Sequence, residues 1–211
     1  MQHTLYGASL SPFARAARVA FEEKKVPYEF KEIGFSDLQQ PDYARLHPYR
    51  KLPALEVGRQ PVFETVAIMR YADEANDRTP SLQPGDGLER AHSVQWSSVA
   101  SAYLYADIFT GFVFQRTIAP RFGMTVDETS VEAHVEKTRH HLDVIRQALA
   151  MGTLGKRLSL GDILVVAILD SLNSFPEGQQ VLEAFDAVDA YTASIANRDS
   201  FIATQAEDRT S

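Results

Sequence analysis

Thr79-Pro80-Ser81-Leu82-Gln83-Pro84-Gly85-Asp86-Gly87 divides this chain into two kinds of sequence. Two prolines and two glycines within nine residues continue neither a helix nor a strand, so the segment reads as an interdomain linker. Before it, strand-like and helix-like patterns alternate. After it, nothing reads as a strand. A chain punctuated in this way predicts a small mixed α/β domain over residues 1–78, a linker over 79–88 and an all-helical domain over 89–211.

The first domain is expected to begin with a strand at 3–6 and a helix at 12–24, where Phe13, Ala17, Ala20 and Phe21 recur at helical spacing. A second strand follows at 28–33, with Tyr28 and Phe30 alternating with Glu29 and Lys31. The irregular stretch 36–45 has room for a short helix. Strands at 54–57 and 62–63 are joined by Gly58-Arg59-Gln60-Pro61, which reads as a hairpin turn. A helix over 65–76 gathers Ile68, Tyr71, Ala72 and Ala75 on one face. Beyond the linker, 88–114, 130–151, 160–171 and 178–196 all read as helices, the second carrying Val131, Val135, Leu142, Ile145 and Leu149 at suitable spacing. Ser159-Leu160-Gly161-Asp162 has the spacing of a capping box and opens Ile163 to Leu169, apolar on every face. Such a helix belongs in the middle of its domain, and the motif carries no chemistry.

Composition removes several function classes. The net charge of -7 comes with acids and bases mixed and no basic stripe, which argues against nucleic acid as partner. The longest apolar run, Ile163 to Leu169, is too short to span a bilayer. No charged-then-apolar leader stands at Met1, so the expected location is the cytoplasm and no membrane partner is expected. There is no cysteine, which excludes disulfide exchange by the protein itself. His140-His141 point to different helix faces and read as solvated, and no metal site is expected.

Three short stretches carry chemistry. Ser11-Pro12 places a hydroxyl in N-cap position and proline at the first helical residue, where its missing N–H is harmless. A helix start carries free N–H groups and positive partial charge, so an anion beside Ser11 is favoured. Leu52-Pro53 precedes a strand: either an ordinary edge proline, or a cis bond that turns the backbone of Leu52 outward to pair with an extended peptide. Glu64-Thr65 joins a strand to a helix; Thr65 reads as its N-cap, the N–H groups there suit a carboxylate, and Glu64 suits an ammonium. Lys51 adds a cation for a second carboxylate. Read jointly, these describe a site for a tripeptide thiol.

Here the chain resembles the glutathione transferases. Tyr6-Gly7-Ala8-Ser9-Leu10-Ser11 resembles the opening of the plant phi-type enzymes, and Ser11-Pro12-Phe13 the tau-type active-site turn. His47-Pro48-Tyr49-Arg50-Lys51-Leu52-Pro53 is similar to the family's Asn-Pro-x-Gly-Lys-Val-Pro, Glu64-Thr65-Val66-Ala67-Ile68 to its Glu-Ser-x-Ala-Ile, and Ser159 to Asp162 to the capping box of its helical domain. The resemblance implies a thioredoxin-like N-terminal domain, an all-helical C-terminal domain and a homodimer. It implies glutathione as co-substrate, held by Ser11, Phe13, Lys51, Leu52, Pro53, Glu64 and Thr65, with Ser11 donating to its sulfur for attack on a small electrophile. Ser9 and Tyr6 are rivals for Ser11's role. Peroxidase, isomerase or dehalogenase chemistry on the same thiol is compatible. A binding or scaffolding module on this fold is the alternative. The chain departs from the pattern at His47 (usually Asn), Arg50 (often Gly) and Leu38, where phi-type chains place a histidine near the glycyl carboxylate. The second substrate is expected between the domains, with Tyr103, Tyr105 and Phe109 as its candidate contacts in an aromatic stretch that also holds Phe112 and Phe114.

Overall fold

A computed structural model describes residues 1–83 and 85–206. Pro84 of the expected linker and residues 207–211 of the expected helical domain lie outside the described residues. The chain forms two compact units, one built from residues 1–83 with 198–206 and the other from 85–197.

The first unit holds a four-stranded sheet of β1 (His3–Gly7), β2 (Glu29–Glu32), β3 (Ala54–Val57) and β4 (Gln60–Phe63), in the order β2-β1-β3-β4. β1 and β2 run parallel, which demands a crossover, and α1 (Pro12–Glu23) supplies it. β3 lies antiparallel to both β1 and β4, with Leu5 opposite Leu55 at the centre, both fully buried. α2 (Pro41–Leu46) and α3 (Thr65–Ala75) complete the layers, α3 packing on α1. Half of the buried residues of α1 are alanine (Ala14, Ala16, Ala17, Ala20), which lets the helix lie close to its neighbours. A Cβ on Gly7 would fall 2.7 Å from the Cβ of Ala14, so glycine at the end of β1 admits this approach. The hairpin is tighter than its sequence suggests. Val57 pairs with Gln60, so only Gly58-Arg59 turn, and Gln60 and Pro61 belong to β4. Pro61 is tolerated because β4 is an edge strand.

Lys24, at the end of α1, is buried with its ammonium 2.9 Å from Asp73 and donating to the carbonyls of Thr79 (3.3 Å) and Pro80 (3.0 Å). Asp73 also accepts the Leu82 N–H at 2.7 Å and the Ser81 hydroxyl at 3.0 Å. The start of the expected linker is therefore fastened to the first unit.

The second unit is helical: α4 (Gly87–Val99), a π-helical segment (Ala100–Val113), α5 (Phe114–Thr117), α6 (Glu128–Met151), α7 (Leu160–Leu169), α8 (Pro176–Glu183) and α9 (Asp186–Ala196). Every residue of α7 is buried, as an apolar helix requires. Two expected helices break. The helix over 88–114 widens after Val99, so that the Phe114 N–H reaches back to the Phe109 carbonyl. The helix over 178–196 splits where Phe185 (φ -124°, ψ 69°) leaves helical backbone. Pro176 sets the start of α8 by forcing Phe175 extended (φ -156°, ψ 151°). Among the described residues, no helix is long and apolar enough to cross a membrane.

The chain then returns to the first unit, a point where the structure differs from a helical domain running over 89–211. The Arg198 guanidinium forks onto Glu23 (2.6 and 2.9 Å), Ser200 donates to the same carboxylate, and Arg15 donates to the Phe201 carbonyl at 3.1 Å. These bonds, made at the start of α10 (Asp199–Ile202) and just before it, hold the segment against α1.

Candidate functional site

One row of the sheet, Tyr6–Ala54–Phe63, organises the site. Tyr6 is next to last in β1, Ala54 first in β3 and Phe63 last in β4. Because β3 runs antiparallel to both neighbours, the loop leading to Ser11, the segment Lys51-Leu52-Pro53 and the turn Glu64-Thr65 all leave the sheet at the same end. Residues far apart in sequence are gathered by register alone.

Ser11 caps α1, its hydroxyl oxygen accepting the Ala14 N–H at 3.3 Å while its own N–H donates to the Ala8 carbonyl at 2.9 Å. Capping uses a lone pair and leaves the hydroxyl proton to be given away. The rivals are committed elsewhere. Ser9 donates its hydroxyl to Glu32 at 2.6 Å and its N–H to the same carboxylate at 2.9 Å. Tyr6 donates to Glu56 at 3.2 Å, and burial together with that carboxylate raises its hydroxyl above the ordinary tyrosine value.

The Leu52-Pro53 bond is cis, the second of the two readings its sequence allowed. Leu52 lies just outside the ladder, which begins at Ala54, and the Lys51 carbonyl accepts the Tyr43 hydroxyl at 2.7 Å. Lys51 itself is exposed. At the third junction one expectation is corrected: Glu64, not Thr65, is the N-cap residue. The chain leaves β4 through a positive φ at Glu64 (φ 74°, ψ 121°), so Thr65 already has helical backbone and is buried. A side chain held in that region costs of order 1–3 kcal/mol, and such residues cluster where ligands are clamped. Arg50 also has positive φ (53°), at a position where the family pattern often has glycine, and its guanidinium donates to Gln39 at 3.0 Å.

His47 escaped the sequence reading as a site residue; its one signal there was the departure from asparagine. It is 2% exposed, with its ring centroid 5.1 Å from that of Phe63, and Nδ1 is buried without a hydrogen-bond partner. In the second unit Tyr103 is exposed, Tyr105 stacks on Phe109 at 5.3 Å, and Phe109 and Phe112 lie in the core. His141 is another correction: it is half-buried rather than freely solvated, with its Nε2 3.0 Å from Asp107 of the π-helical segment. Among the described residues, no group of three or more histidine, aspartate or glutamate side chains is disposed to hold a metal.

The model of the glutathione S-transferase N-terminal domain matches residues 1–74, and that of the C-terminal domain matches residues 104–199. Glutathione S-transferase 1 of Zea mays is 30% identical over 200 residues, covering 93% of this chain and 92% of the maize protein. The chain belongs to the glutathione S-transferase family. Its two units are that family's thioredoxin-like N-terminal domain and helical C-terminal domain, and its relatives include plant phi-class members. Among solved glutathione S-transferases, one bound with the ligand lactoylglutathione superposes with a TM-score of 0.84 at 28% identity, covering 97% of this chain and 98% of that one. Another, glutathione S-transferase I from maize in complex with an atrazine glutathione conjugate, gives a TM-score of 0.84 at 28% identity, with 97% and 96% covered.

Proposed function

We propose that this chain is a glutathione transferase of the serine type, which ionises the glutathione thiol and directs it at a small, mostly apolar electrophile. The observation that carries the proposal is the sheet row Tyr6–Ala54–Phe63, at whose end the hydroxyl cap, the peptide-pairing segment and the ammonium/carboxylate turn converge. In this reading the Leu52 backbone pairs with the cysteinyl residue. Glu64 takes the γ-glutamyl ammonium, and the N–H groups at Thr65 take the α-carboxylate beside it. Lys51 approaches the glycyl carboxylate, while Phe13 and Pro53 line the cleft. The solved relatives bound with lactoylglutathione and, for the maize protein, with an atrazine glutathione conjugate support a glutathione-derived ligand.

The energetics suffice without a general base. A free thiol with a pKa near 8.5 is only a few per cent thiolate at neutral pH, and bringing it down by about two units takes roughly 2.7 kcal/mol. A hydrogen bond to a charged acceptor contributes about 1.5–3 kcal/mol and a helix start about 0.3–1 kcal/mol. Ser11 and the start of α1 together supply that amount. The thiol proton leaves to solvent, the sulfur lone pair forms the new S–C bond, and the electrophile's leaving group departs with the broken bond's electrons. Tyr103 and Tyr105 are proposed as the electrophile's contacts on the helical unit. A cytoplasmic homodimer acting in detoxification, without a metal, completes the reading. Calorimetric titration with glutathione, followed by conjugation of an aryl halide, tests it. One site per chain and thiol-dependent release of halide are expected. No heat of binding would favour a scaffolding module on the same fold.

A further inference from the structure

His47 stands between the two halves of the proposed glutathione cradle. Its backbone N–H closes α2 onto the Tyr43 carbonyl at 2.9 Å, and its carbonyl accepts the Arg50 N–H at 2.8 Å, shaping the turn that delivers Lys51. Its ring packs on Phe63, the residue immediately before the strained Glu64, and more distantly on Tyr49 at 6.4 Å. At 2% exposure, with Nδ1 lacking any partner, the ring holds its place by apolar packing. Burial of an imidazole whose Nδ1 has no partner disfavours its charged form.

We propose that His47 is a positioning residue that ties the Lys51–Pro53 segment to the Glu64 turn, and that a proton on its ring and an ammonium at Glu64 weaken one another. The proposal rests on the glutathione reading above. The charges that face the ring are few. Glu64, on the β4–α3 turn, attracts a proton to it, and Lys51, on the loop before β3, repels one. From α2 comes Tyr43, whose hydroxyl is given to the Lys51 carbonyl, while Asp42 and Arg45 of that helix pair with each other; Arg50 is turned to Gln39. Burial is the largest influence and holds His47 below the ordinary histidine value, with Glu64 opposing it. A ligand ammonium at Glu64 removes that opposition, while a glycyl carboxylate at Lys51 removes only the smaller repulsion, so on balance occupancy drives the ring further toward neutrality. By reciprocity, protonating the ring weakens the ligand.

The test uses S-methylglutathione, whose blocked sulfur removes thiol ionisation from the measurement. Calorimetric affinities are taken between about pH 7.5 and about pH 5, spanning the ordinary histidine range. Wild type should lose about fivefold or more in affinity toward the acid end, the low end of site–site coupling. His47→Asn and His47→Phe, the second keeping an aromatic ring against Phe63, should show flat profiles. In the unaltered protein, the His47 ring resonances should titrate at lower pH when the ligand is saturating. Identical pH profiles in wild type and both variants, or an unmoved ring titration, would overturn the inference and leave the glutathione reading standing. No binding by any of the proteins at any pH would overturn that reading, and the inference with it.

Discussion

Arg50 adopts φ 53° where the family pattern often places glycine, and its side chain compensates in part through Gln39 at 3.0 Å. Left-handed backbone costs a non-glycine residue roughly 1–2 kcal/mol, and most for β-branched side chains. Arg50→Gly should therefore hold stability level or raise it by up to about 1 kcal/mol, since relieved strain is offset by a freer unfolded chain. Arg50→Val should lower it by about 1–2 kcal/mol, read as a shifted urea midpoint. Equal losses in both variants would show that the Gln39 bond, not the backbone, sets the effect. Individual residues were unevenly legible in the sequence. Ser11 was visible because Ser-Pro before a helical pattern has one local meaning. Glu64 was displaced by one position from the cap it was expected to precede, because nothing in Glu-Thr announces a positive φ. His47 was invisible as a site residue, since its burial is decided by Phe63, sixteen positions away.

Among the elements, α7 was the most readable, because a helix apolar on every face has only one place to go. Its capping box does more than cap. Asp162 accepts the Ser159 N–H (3.0 Å) and hydroxyl (2.5 Å), and its other oxygen takes the Gly155 N–H and the Tyr191 hydroxyl, both at 2.8 Å. Burial and the Asp162 charge together push the Tyr191 hydroxyl well above its ordinary value, so it remains a donor. Asp162→Ala would strand several buried donors at about 1–3 kcal/mol each, less where water enters, and should destabilise by at least about 3 kcal/mol. Asp162→Asn should lose less, and thermal unfolding of the three proteins checks the ranking. Matching melting temperatures for Ala and wild type would contradict the role given to this carboxylate. Helix breaks were the least readable feature. The helix widens at Ala100 and breaks at Phe185, although helical periodicity in the sequence continues across both.

The molecule as a whole carries its acid sensitivity in paired carboxylates. Burial alone would raise Asp73, Glu23 and Asp107, yet hydrogen bonds outweigh it in each: from Leu82, Lys24 and Ser81 to Asp73, from Arg198 and Ser200 to Glu23, and from His141 and Lys137 to Asp107. All three are held below their ordinary values, so their contribution is complete above about pH 5 and is lost as pH falls through the folded values. His47, lowered by burial, adds an earlier step. Unfolding takes up its proton, so stability declines from about pH 6.5 down to the folded value and is level beneath it. Urea unfolding across this range should show both declines, and His47→Asn should abolish only the upper one. A wild-type curve level down to about pH 5 would contradict the buried neutral imidazole. The division into an α/β unit and a helical unit was legible from Pro and Gly punctuation. The return of residues 198–206 to the first unit was not, because a fork onto Glu23 is a contact between distant residues that no local pattern encodes.

The central claim concerns a proton on sulfur. Ultraviolet difference absorbance of bound glutathione, recorded against pH on wild type and on Ser11→Ala at saturating ligand, measures it directly. Wild type should show thiolate at neutral pH, with the bound thiol titrating about two units below its free value, and Ser11→Ala should return it by about one to two units while binding comparably. Equal thiolate in the two proteins would remove the Ser11 hydroxyl from the chemistry.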